Sequence, residues 1–124
     1  MVYSSDQMEQ QAMIETAARM CAAARTAPKA KGVDNTLTLV LTGEEKDVLA
    51  NKMDEIASSE LDEASAGWFR RDAENLRNAQ AVVLIGEKHS YTGLSYCSYC
   101  GFENCEQNKK AGGQCAIGMT NLGI

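Results

Sequence analysis

The residues of this chain best suited to chemistry are its cysteines. Four of the five fall in Tyr96–Cys115, which reads YCSYCGFENCEQNKKAGGQC and spaces Cys97, Cys100, Cys105 and Cys115 as C-x2-C-x4-C-x9-C. Three thiols within nine residues on a short turn can converge on one inorganic centre. Gly112 and Gly113 allow a short helical or looping excursion to turn back and deliver the fourth. Iron–sulfur clusters and structural zinc both take four thiolates, so spacing has to discriminate. Zinc sites usually pair two C-x2-C knuckles about 12–20 residues apart, often with a histidine ligand. Here only Cys97 and Cys100 form such a pair, and Cys105 and Cys115 stand singly. The bacterial and plant ferredoxin spacings are not matched either. The surroundings suit a cluster: Gly101 is expected to let backbone N–H groups approach sulfur, and Tyr96, Tyr99 and Phe102 to exclude water. A four-iron cluster (4Fe-4S) is the preferred expectation, with zinc, a two-iron cluster and unliganded thiols as alternatives.

The composition narrows the setting. A chain of 124 residues is one domain by length, able to bury about two-thirds of its unfolded surface. The net charge is −5 and no run of five like charges occurs, which argues against nucleic acid as the main partner. No apolar stretch approaches a membrane span, and the N-terminus MVYSSDQMEQQ shows no secretory signal. A cytoplasmic, reducing location is the expectation, and there a cysteine cluster is more often metal-binding or catalytic than disulfide-bonded.

The elements that must position the thiols follow from periodicity. Met8, Ala12, Met13, Ala17, Met20, Cys21 and Ala24 recur at helical spacing, predicting a helix over about residues 5–25 with that stripe buried. Pro28 and Gly32 end it, and a loop runs to Asn35. Thr36–Thr42 alternates as a strand. Glu44 and Glu45 open a second helix bearing Val48, Leu49, Met53, Ile56 and Ala57. Residues 58–67 read as loop or weak helix, and Trp68–Asn78 as a third helix with Trp68 and Phe69 in the core. Ala81–Ile85 is a continuous apolar run, expected to be a strand covered on both faces and stopped by Gly86. Strand, helices and strand form a crossover unit whose strands should be neighbours or near-neighbours in one sheet. Glu87–Leu94 reads as a polar connector holding the only histidine, His89, expected at the surface. Residues 116–124 look like the start of an apolar helix, as in a fragment or an end that a partner covers; a homodimer is one such arrangement.

The piece YCSYCGFENC resembles the C-x2-C-G-x3-C iron–sulfur module of corrinoid-protein subunits of acetyl-CoA decarbonylase complexes and of membrane redox complexes. That resemblance implies a four-iron cluster on Cys97, Cys100, Cys105 and Cys115. Together with ARTAPKAKGVDN (24–35), FRRDAENL (69–76) and AVVLIG, the segment is similar to an uncharacterised prokaryotic family of ferredoxin-domain-containing proteins. Its members continue past a segment like NLGI and have no established activity.

ARTAPKAKGVDN has a fainter similarity to the flavin-binding loop of nitroreductases. It implies an FMN phosphate near Arg25 and Lys29, with Lys31 close by and Asn35 near the ring. Lys29 stands where those enzymes carry serine, and the alternative is a solvated basic loop. Cys21, on the apolar stripe, reads as a small buried hydrophobe. The expected fold class is therefore α/β (α+β). A small domain at 1–86 leads into an iron–sulfur segment at 87–124, packed as one unit, or the chain is a fragment of a nitroreductase-like fold. The expected role is electron transfer with a redox partner protein. An FMN-dependent oxidoreductase with an accessory cluster and a structural zinc module are the rivals.

Overall fold

The computed structural model describes residues 1–119. It is a mixed helix-and-strand fold with helices α1 (Ser5–Thr26), α2 (Gly43–Ser59), α3 (Glu63–Asn78), α4 (Cys105–Lys110) and α5 (Ala116–Met119), and strands β1 (Thr36–Thr42) and β2 (Ala81–Glu87). A single 3-10 turn at Ala30–Gly32 follows the first helix. The α+β class is the one expected. The apolar segment at 116–124 begins as α5, and its last five residues lie outside the described ones.

The chain forms two compact units. One comprises Met1–Met20 and Leu39–Leu84, and the other Cys21–Thr38 with the described residues from Ile85 onward. Residues 21–38 therefore group with the cysteine segment.

In the first unit, Ser4 and Gln7 start α1 as a reciprocal cap: the Ser4 N–H donates to Gln7 Oε1 (2.9 Å) and the Gln7 N–H to Ser4 Oγ (3.3 Å). Helical spacing located this helix correctly but not its burial. Only Ala17 of its first sixteen residues is buried, while Met8, Met13 and Met20 are 40–51% exposed. Periodicity reports which residues share a face, not whether another element covers it.

Helices α2 and α3 form a hairpin. The stretch read as loop or weak helix is helical except at Glu60–Asp62, because Asp62 caps α3 by accepting the Ser65 N–H at 2.9 Å. Ala50 and Ala57 on α2, and Ala66 and Ala73 on α3, are buried at one-heptad spacing, a small-residue seam for a close helix pair. Lys46 is buried near the start of α2, and its ammonium donates to the Arg77 carbonyl near the end of α3 (2.6 Å). Arg77 reaches back to Asn51 Oδ1 (2.8 Å) and Asp54. Trp68 is not core: it is 68% exposed with the Arg71 guanidinium over its ring at 5.6 Å. Phe69 is half-buried.

β1 and β2 are hydrogen-bonded neighbours, as expected. They run antiparallel, since the Lys88 N–H donates to the Asn35 carbonyl (2.9 Å) and the Thr36 hydroxyl to Glu87 (2.8 Å), pairing the start of β1 with the end of β2. Two helices folded into a hairpin return the chain to its starting side, whereas a single-helix crossover would have made the strands parallel. β2 runs through Gly86, and Leu84 and Ile85 are about 40% exposed, so among the described residues it is not covered on both faces.

The alanine seam predicts that Ala73→Leu, which forces a larger side chain into a fully buried site, lowers stability by about 1–3 kcal/mol. Urea unfolding followed by helical circular dichroism measures it. An unchanged midpoint would mean the helix pair has room the seam does not suggest.

Candidate functional site

The candidate site is the cysteine segment of the second unit. After β2 the chain runs through Ser90-Tyr91-Thr92 to two turns at Ser95–Gly101, then α4, a reversal and α5. Cys97 and Cys100 sit on the turns and are half-buried. Gly101 has φ +82° and donates its N–H to the Ser98 carbonyl (2.9 Å), closing a turn rather than approaching sulfur. Tyr96 and Tyr99 are fully and 76% exposed, so neither supplies the expected shielding, and Phe102 is half-buried.

Cys105 opens α4 and is buried, with Asn104 as the cap whose Oδ1 accepts the Gln107 N–H (3.0 Å). The helix ends in a left-handed reversal at Gly112 (φ +69°), where Gly112 N–H donates to Lys109 O (3.2 Å) and Gly113 N–H to Asn108 O (3.0 Å). A Cβ on Gly113 would lie 2.3 Å from Asn108 Oδ1 and 2.9 Å from the Phe102 ring, so the reversal admits only glycine there without rearrangement. The excursion expected from the Gly112-Gly113 pair is therefore a one-and-a-half-turn helix with a six-to-one closure.

Cys115, 2% exposed, is where the donors gather. Its sulfur accepts the Thr92 N–H (3.5 Å) and the Gly118 N–H (3.3 Å). The Thr92 hydroxyl lies 3.5 Å away, accepting from the thiol and able to donate to the thiolate. Burial pushes this thiol up, but these N–H groups, the hydroxyl and the Ile117 N–H outweigh it, and it falls from 9.0 to about 7. The next N–H, that of Ala116, donates to Cys100 Sγ (3.2 Å), which brings Cys100 beside the α5 start.

Three connector residues that the sequence presented only as polar build this arrangement. Ser90 Oγ donates to Gly118 O (2.8 Å), Tyr91 Oη to Gly113 O (2.7 Å), and Thr92 serves Cys115. His89 is exposed, its ring 4.7 Å from that of Tyr91. Cys21 is half-buried.

The three residues proposed for a flavin are engaged within the chain. Arg25 Nη1 donates to Asp34 (2.7 Å) and to the Thr36 carbonyl (2.8 Å). The Lys29 ammonium donates to the carbonyls of Ala24, Arg25 and Ala27, using its three N–H groups to close the end of α1. Asn35 Nδ2 donates to Ser90 Oγ (3.0 Å), and Lys31, in a left-handed conformation at φ +58°, reaches the Thr92 carbonyl (3.2 Å). The basic loop thus braces the connector that carries the sulfur donors.

Among the described residues no three His, Cys, Asp or Glu side chains are gathered closely enough to hold a metal ion. In donor type and surroundings the four cysteines still fit a thiolate-ligated centre: soft ligands, two of them buried, with N–H groups aimed at two of the sulfurs. No described helix is long and apolar enough to cross a membrane.

No protein-family model matches the chain. An uncharacterised protein of Archaeoglobus fulgidus is 42% identical over 113 residues, 85% of this chain and 59% of that protein, so the chain spans less than two-thirds of the relative's length. No solved structure matches.

The Arg25–Asp34 pair supplies a test of the brace. The Arg25 hydrogen bond, followed by the Thr36 N–H, holds the Asp34 carboxyl down at about 2 from 3.8. A lowered carboxyl stabilises the fold above its unfolded value, and the contribution disappears as pH falls from 3.8 through 2. Wild type should therefore be more stable than Asp34→Asn near neutrality, with the gap closing over that acid range. A gap independent of pH in thermal melts would mean the ion pair is not its source.

Proposed function

We propose that this chain is an iron–sulfur protein holding a four-iron cluster on Cys97, Cys100, Cys105 and Cys115 and exchanging electrons with a redox partner protein. The observation that carries the reading is the set of N–H donors on the Cys115 and Cys100 sulfurs, in a segment whose four thiols share one compact unit. Backbone N–H···S bonds stabilise thiolate charge, and together with burial they set the reduction potential of a cluster. The similarity of YCSYCGFENC to ferredoxin-type modules supports the same ligands. The chemistry such a cluster supplies is uptake and release of one electron at a time. The chain's own part is to keep Cys115 dry and hydrogen-bonded through Thr92 and Gly118, to present Cys105 at the start of α4, and to offer Cys97 and Cys100 on turns that can close around the site.

Nothing in the geometry favours the flavin reading, whose Arg25, Lys29 and Asn35 are all bonded internally. Zinc would use the same thiols and is separated by measurement. Protein purified without oxygen is expected to carry about four irons and matching sulfide per chain with a brown visible spectrum. Cys100→Ser should lose that centre while α2 and α3 keep their helical signal. One zinc per chain in a colourless sample would sink the redox proposal, and a full cluster in the serine variant would overturn the ligand assignment.

A further inference from the structure

The largest fully buried side chain among the described residues is a polar one, Asn108, at 2% exposure. Such burial is unusual for asparagine, and it is only half satisfied. The amide Nδ2 donates to the Gln114 carbonyl (2.9 Å), immediately before Cys115. Oδ1 has no hydrogen-bond partner among the described residues and lies against Gly113. Leucine has similar bulk, would leave no stranded acceptor, and would suit a site chosen for packing alone. What leucine lacks is the donor to Gln114.

That donor closes a second bond across the reversal already joined by Gly113 N–H to Asn108 O. Tyr91 Oη holds the preceding carbonyl, that of Gly113. The two carbonyls preceding Ala116's neighbour Cys115 in the loop, those of Gly113 and Gln114, are thereby fixed, and with them the approach of Cys115 to Thr92 and Gly118. We infer that Asn108 is a positioning residue that locks the Cys105–Cys115 excursion and holds Cys115 in its buried, donor-lined place. The assignment rests on the proposed ligand role of Cys115 for its purpose, but not for its test.

The test compares wild type, Asn108→Asp and Asn108→Leu in the metal-free, reduced chain, with thiol alkylation rates read for each cysteine by mass spectrometry. Aspartate keeps the shape and removes the donor when ionised; leucine keeps the bulk. Wild type should label Cys97 and Cys100 well before Cys115. Both variants should label Cys115 about tenfold faster, the scale expected for loss of one buried hydrogen bond, while Cys21 on α1 labels at the wild-type rate. In chains loaded with iron and sulfide, both variants should release iron to a chelator about tenfold faster than wild type. Unchanged Cys115 labelling in both variants overturns the inference, as does acceleration of Cys21 along with it, which would signal general loosening. Faster Cys115 labelling in a protein whose wild type takes up no cluster leaves Asn108 in its positioning role and removes the iron–sulfur reading instead.

Discussion

The second unit depends on how one sulfur atom is held. The Cys115 sulfur is met by the N–H groups of Thr92 and Gly118 and by a hydroxyl. Each of these donors is fixed by a further bond. Lys31 grips the Thr92 carbonyl, Ser90 grips the Gly118 carbonyl, and Asn35 grips Ser90. The result is a chain of hydrogen bonds from the loop after α1, through the connector after β2, to the start of α5. Polar groups linked in this way reinforce one another, the more so where they are partly buried, as at Ser90.

Dipoles rather than charges lower the Cys115 thiol to about 7. An adjacent ammonium would do the same but would also bring a competing counter-ion and a group that water must solvate. Backbone N–H groups stay fixed whatever the charge on sulfur, so their stabilisation does not need the surroundings to reorganise when that charge changes. The cations of the loop after α1 are engaged with other partners. Lys29 closes the end of α1 on three carbonyls, and Arg25 is paired with Asp34.

The elements were largely legible in the sequence, and the site only in part. Alternation located β1 and helical spacing located α1, because backbone geometry imposes those periods directly. Burial was less legible. The methionines of α1 and Trp68 of α3 are exposed because apolar character permits burial without enforcing it. Thiol spacing named the cysteines, yet the donors onto Cys115 lie 23 residues earlier at Thr92 and three later at Gly118 and are mainly backbone groups, which leave no mark in residue types. Lys29 carries a signal of a different kind: a lysine just past a helix end broken by proline is as well placed to bind the last carbonyls as to bind a phosphate, and in the fold it binds the carbonyls. Asn108 was hidden in CEQNKK, where a buried amide looks like any other polar residue of a short helix.

Closing the excursion from Cys105 to Cys115 has an entropic cost that any four-thiolate site must meet. Here it is met before any ligand is considered, by the Gly112 reversal, the Asn108 amide and the Tyr91 hydroxyl. The turns bearing Cys97 and Cys100 are tied down more lightly, by the Gly101 N–H to Ser98 and the Ala116 N–H to Cys100 Sγ. Two buried thiols are therefore held in place and two half-buried ones sit on short turns. On the proposed reading the ordering left for binding falls on Cys97 and Cys100, on the turns of Ser95–Gly101 between β2 and α4. The fourth thiol, the one sequence spacing placed furthest from the others, is the one the fold secures most firmly.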